Sequence, residues 1–140
     1  MIRLVNISKA KAKTLKVNDP IVSISDIYDR DTIHFPNEHI RPILHVEFFP
    51  GDHMVACAEE NMMTDAKAKS ILDFVLAQRD AGAETIYFQC GEGRIRSYTC
   101  CDVLSFMDGF IHDHESSCIK RGILDLHTAR ILSKQVDQLG

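Results

Sequence analysis

The run Cys90-Gly91-Glu92-Gly93-Arg94-Ile95-Arg96-Ser97 gathers a thiol, two glycines, two guanidinium groups and a hydroxyl in one short stretch. Glycine permits positive φ and close backbone approach, so such a stretch can curl and turn successive N–H groups toward one point. Set just before a helix N-terminus, those donors bind an oxyanion. Arg96 adds a planar fork matched to two oxygens of a tetrahedral anion. The same positive field favours a thiolate at Cys90, because a cysteine at a helix N-terminus can have its pKa lowered from about 8.5 to roughly 3.5–7.5. One loop could then hold an anion and set a nucleophile beneath it. A lone cysteine at a strand end is more simply a buried thiol. Gly93, Arg96 and Ser97 in register with Cys90 outweigh that reading.

The flanking segments predict the scaffold that this loop needs. Residues 2–7 are an apolar run that reads as a strand, and Ser8 can cap a short helix reaching Leu15. Residues 21–25 alternate as a strand does, and the polar stretch 26–41 reads mostly as loop. Residues 43–49 are β-branched and aromatic, a further strand, ended by Pro50-Gly51. After a connection over 52–63, Thr64 caps a helix that runs to about Arg79, with Ala68, Ile71, Leu72, Val75 and Leu76 at helical spacing. Ala81-Gly82 stops it. Residues 85–88 form the strand that leads into Cys90. From Ser97 the pattern turns helical through Cys101, Leu104 and Met107 to Gly109, and a last helix covers 124–139. Strand, helix, strand, helix over 43–108 is a βαβα unit, so the expected class is α/β. It predicts a single domain over 1–140 with a mainly parallel central sheet flanked by helices. Ligands of such sheets bind beyond the carboxyl ends of the strands, where Cys90 falls.

The loop resembles the signature of the protein tyrosine phosphatase superfamily, Cys-x-x-Gly-x-x-Arg-Ser/Thr, through Cys90, Gly93, Arg96 and Ser97. Outside the loop, the strand at 21–25 and the order of elements over 43–108 are similar to those of the compact dual-specificity members. That resemblance implies a phosphatase acting on phosphate monoesters through a phosphocysteine, with no metal or other cofactor. Cys90 would be the nucleophile. Gly91, Glu92, Gly93, Arg94, Ile95 and Arg96 would bind the phosphoryl group, and Ser97 would steady the departing thiolate. A hydroxyl at 97 could also cap the following helix. In the family an aspartate after the strand before the crossover helix protonates the leaving oxygen. Here that is Asp52, ahead of Glu47 and His53. The implied substrate is a phosphorylated protein or a small phosphomonoester. Two residues depart from the pattern. Gln89 stands where the family usually has histidine, and Glu92 puts a carboxylate in an anion-binding loop unless it points away or pairs with Arg94.

The bulk numbers set limits around this site. With 140 residues and 45% apolar content the chain can build one real core. A formal charge of -4 gives no global basic bias, so nucleic acid and anionic membranes are not expected partners. No apolar run reaches membrane-span length, and the start lacks the h-region of a secretory signal. The expectation is a soluble, cytoplasmic protein. The five cysteines, Cys57, Cys90, Cys100, Cys101 and Cys118, are odd in number and form no CxxC pair, which speaks against disulfides and a standard zinc site. His112, His114 and Cys118 match no standard metal spacing and read as a polar surface turn. Cys100 and Cys101 read as buried thiols on a helix face, though one could resolve an oxidised Cys90. Lys9, Lys11, Lys13 and Lys16 read as a solvated helix face. Two other functions stay open: a phosphatase-like module that binds phosphate but turns over poorly, and a rhodanese-like sulfur carrier. Ser97 and the Cys-x5-Arg spacing speak against the carrier.

Overall fold

The computed structural model describes residues 1–25, 35–51 and 59–139. Its sheet is built from β1 (Ile2–Ser8), β2 (Ile21–Ser25), β3 (Ile43–Glu47), β4 (Thr85–Cys90) and β5 (Phe110–His112). The strands lie in the order β3-β2-β4-β1-β5, and every pairing is parallel. The helices are α1 (Lys9–Thr14), α2 (Asp65–Asp80), α3 (Arg96–Leu104) and α4 (Leu126–Asp137). This is the α/β architecture expected from the alternation of strand and helix patterns.

Both faces of the sheet are covered, but unequally. Leu4, Val22, Ile24, Val46, Ile86, Phe88 and Cys90 point to one side. There they meet Ile71, Leu72 and Val75 of α2, Cys100, Cys101 and Leu104 of α3, and Leu132 of α4. The other side holds a smaller cluster of Val5, Ile7, Ile21 and Phe35 with Ala12 of α1. Strand side chains alternate between faces, so strands buried on both sides read as nearly continuous apolar runs. Residues 2–7 and 85–88 do so.

Local signals set most boundaries. Ser8 Oγ accepts from Lys11 N at 3.1 Å and caps α1. Thr64 Oγ1 accepts from Lys67 N at 3.2 Å and caps α2. Several boundaries differ from the sequence expectation. β3 ends at Glu47 rather than residue 49, because Phe48 N still reaches Ser25 O (2.9 Å) but Phe49 N turns to Asn61 O (2.7 Å). β4 continues to Cys90, held in register against Ser8. α3 starts at Arg96 and stops at Leu104, leaving Phe106 exposed. α4 occupies only Leu126–Asp137 of the expected 124–139.

One strand is new. Residues 110–112 pair with β1 as β5, burying Phe110 and His112. The polar surface turn expected here is therefore corrected at His112, whose side chain enters the protein. Three residues are too few to show a period, so this short edge strand left no pattern to read. Among the described residues no helix is long and apolar enough to cross a membrane.

Leu132 is the one apolar side chain of α4 that is fully buried. Leu132→Ala should lower the unfolding free energy by about 2–5 kcal/mol. In urea this should appear as a lower midpoint with an unchanged slope.

Candidate active site

β4 carries Cys90 to the carboxyl edge of the sheet, and α3 begins at Arg96. The connection between them is fastened from behind at three carbonyls. Gly91 O accepts from Lys9 N at 3.0 Å, and Arg94 O accepts from Ile123 N at 3.0 Å. Gly93 O accepts from Asn6 Nδ2 at 2.7 Å. No peptide among the described residues is cis. A trans peptide holds its N–H antiparallel to its C=O. The N–H groups of Glu92, Arg94 and Ile95 therefore turn away from those anchors.

Gly93 makes this curl possible. Its φ is 73°, in the left-handed region. A Cβ there would stand 2.7 Å from the carbonyl carbon of Ile7 and 2.9 Å from Cys118 Sγ. The glycine thus lets the loop lie directly on the end of β1.

Cys90, Gly91, Glu92, Arg94, Ile95 and Arg96 line a cavity of about 260 Å³, together with Pro50. Cys90 is only 3% exposed, so its sulfur lies at the bottom. Its Sγ is 3.1 Å from Ser97 Oγ and 3.5 Å from Ser97 N. Arg96 Nη1 donates to Phe48 O at 3.3 Å, which sets the guanidinium between the loop and the segment after β3. α3 has no side-chain cap at Ile95. Ser97 lies within the helix and is fully buried, so its hydroxyl serves the thiol rather than the N-cap.

The candidate residues thus divide. Cys90, Gly91, Glu92, Arg94, Ile95, Arg96 and Ser97 come together, with Gly93 supporting from behind. Asp52 and His53 lie outside the described residues, as does Cys57. Glu47 is separate: it lines a second cavity, of about 420 Å³, beside Lys67 and Ser70 of α2. Gln89 does not hold the loop. Its neighbour Cys90 faces the larger cluster, so Gln89 faces the other way, where its Oε1 accepts from Ser23 Oγ at 2.7 Å. It ties β4 to β2.

The remaining thiols differ in setting. Cys100 and Cys101 are fully buried, and burial, with the neighbouring thiols adding to it, pushes both thiols up. They are inert groups of the α3 core. Cys118 is exposed and its Sγ accepts from Ser8 N at 3.1 Å.

Two supporting residues escaped the sequence reading. Asn6 is fully buried, and besides Gly93 O its Nδ2 donates to Ile119 O at 3.0 Å. Asp125 is also fully buried. Its carboxylate accepts from Gly51 N at 2.8 Å and from Thr128 Oγ1 at 2.6 Å. Its own N donates to Thr99 Oγ1 at 2.9 Å. It thereby joins α3, α4 and the segment carrying Pro50. The available signals were an asparagine inside the apolar run of β1, and an aspartate one residue before a helix.

Gly93→Ala should cost about 1–2 kcal/mol for the left-handed backbone alone, with a further loss as the loop lifts off β1. Urea unfolding measures the first effect, and weakened binding of inorganic phosphate or vanadate reports the second. Comparison of the chain with protein-family models, with curated proteins and with solved structures finds no match.

Proposed function

We propose that this protein is a cysteine-dependent phosphatase that hydrolyses phosphate monoesters through a phosphocysteine. One observation carries the reading. The Cys90 sulfur lies 3.1 Å from the Ser97 hydroxyl, at the floor of a cavity rimmed by Arg96 and by loop amides turned off their anchors.

In this reading a phosphoryl group enters the cavity with its oxygens toward the N–H groups of Glu92, Arg94 and Ile95 and the fork of Arg96. Such fixed donors stabilise the charge of the transition state more than that of the ground state. The Cys90 thiolate attacks phosphorus in line. A P–S bond forms as the P–O bond to the leaving group breaks. Asp52 gives its proton to the leaving oxygen. Support for Asp52 is its place in the chain, directly after Pro50, which lines the cavity, and Gly51, which Asp125 fastens. Water then attacks phosphorus and gives a proton to Asp52. The P–S bond breaks, and the Ser97 hydroxyl donates to the departing thiolate.

The cavity is built from one short loop and Pro50, which suits a phosphorylated protein side chain or a small phosphomonoester. A reducing, cytoplasmic setting suits an enzyme that needs Cys90 as a thiolate. A second reading has its own support: Glu92 is among the residues that line the cavity, and a like charge there would weaken the hold on a dianion. On that reading the domain binds phosphate and turns over little.

p-Nitrophenyl phosphate separates the two. Cys90→Ser should abolish turnover yet still bind phosphate. Arg96→Ala should lower kcat/KM by roughly 10²–10³. Ser97→Ala should slow the second step, giving a burst of p-nitrophenol followed by a slow steady rate. Equal, slow turnover by wild type and Cys90→Ser, with phosphate binding retained in both, would leave the binding module as the answer.

A further inference from the structure

Among the described residues, hydrogen bonding leaves one ring nitrogen of His112 without a partner. Asn6 Nδ2 spends both its hydrogens, on Gly93 O at 2.7 Å and Ile119 O at 3.0 Å. The amide oxygen must then face His112, and His112 Nε2, 2.7 Å from it, must carry the ring proton. A neutral ring so oriented presents Nδ1 as a bare lone pair. Among the described residues that atom has no hydrogen-bond partner, and it is buried on a side chain only 3% exposed. What faces it, 3.5 Å away, is a carboxylate oxygen of Asp102. With the ring neutral, two electron-pair donors face each other across 3.5 Å.

A third donor is at hand. The His114 ring centroid is 4.0 Å from that of His112. One donor atom from each of Asp102, His112 and His114 lies within 4.8 Å of the others. We propose that these three side chains bind a divalent transition-metal ion of the zinc type. Two imidazoles and a carboxylate are donors that such ions prefer. Around a tetrahedral ion with bonds of about 2.0–2.1 Å, donors stand roughly 3.4 Å apart. The spacing of His112 Nδ1 and Asp102 Oδ1 is 3.5 Å.

The surroundings fit the same use. A histidine that ligates through one nitrogen almost always donates its other N–H to a fixed acceptor, which sets the tautomer. Asn6 Oδ1 is that acceptor. His112 is further steadied by Tyr98, edge-on at 5.0 Å. Asp102 is partly exposed and His114 exposed. The ion can thus arrive from solvent, and a fourth position is left for water. The sequence grouped Cys118 with these histidines. The fold replaces it with Asp102, brought in by α3. The inference goes beyond the phosphatase reading and stands without it.

The test is titration of the chelator-treated full chain with Co²⁺, followed by its visible absorption and by displacement with Zn²⁺. The expected result is one equivalent bound, with no sulfur-to-cobalt charge-transfer band, and a Tm raised by Zn²⁺. His114→Ala and Asp102→Asn should each weaken binding about a hundredfold or more, with the metal-free Tm nearly unchanged. These two are preferred to His112 variants, which would also disturb Asn6. Absence of binding would overturn the proposal, as would a His114→Ala protein that binds as tightly as wild type. Binding lost only in Cys90→Ser or Cys118→Ser would assign the ion to a thiol and overturn it equally.

Discussion

A peptide unit cannot turn its carbonyl and its N–H to the same side. The site rests on that constraint. Lys9, Asn6 and Ile123 each take a carbonyl of the loop after β4, and in doing so they aim the amides on the other side. The protein does not need to steer each donor singly. It grips the loop's outer edge, and planarity orients the inner one. The grip in turn requires a parallel sheet, because only then do β1 and β4 end at the same edge and bring Ser8 beside Cys90. Gly93 closes the arrangement by letting two backbones touch where a methyl group would separate them.

The second structural idea is economy of buried polar groups. Asn6 and Asp125 are both fully enclosed, and each makes several hydrogen bonds that cross between elements. An unmet polar group inside a protein costs about 1–3 kcal/mol. Each of these residues therefore demands one arrangement of its neighbours. Asn6 fixes the back of the loop against the segment at Ile119. Asp125 fixes the segment after β3 against α3 and α4, and so sets Pro50 at the mouth of the cavity. Ser97 belongs to the same economy: inside the helix, its hydroxyl finds its partner in the Cys90 sulfur.

Much of this was legible in the sequence because the signals were local. The apolar runs of β1 and β4, the Ser8 and Thr64 caps and the glycines of the loop each act within a few residues. The order of strand and helix patterns then fixed a parallel sheet, and with it the edge where Cys90 must lie. What could not be read was long-range. Nothing near Asn6 says that its partners come from residues 93, 112 and 119. Nothing near Asp102 says that a strand of three residues will place His112 against it. Gln89, which stands where the resemblance puts a histidine, turns away from the thiol by strand parity, since residues 89 and 90 face opposite sides of the sheet. Ser97 does not cap the helix, because α3 starts one residue earlier, at Arg96.

Asn6 carries a consequence for which substitutions the fold could accept. Its amide meets two carbonyls and one imidazole N–H, so the site wants two donors and one acceptor at the tip of a short arm. Aspartate has the shape but offers oxygen to the carbonyls. Leucine fills the space and meets none of the three. Glutamine has the right groups one carbon too far out. Among the common side chains, then, the alphabet at position 6 shrinks to a single letter, although that position lies in β1, outside the loop it holds.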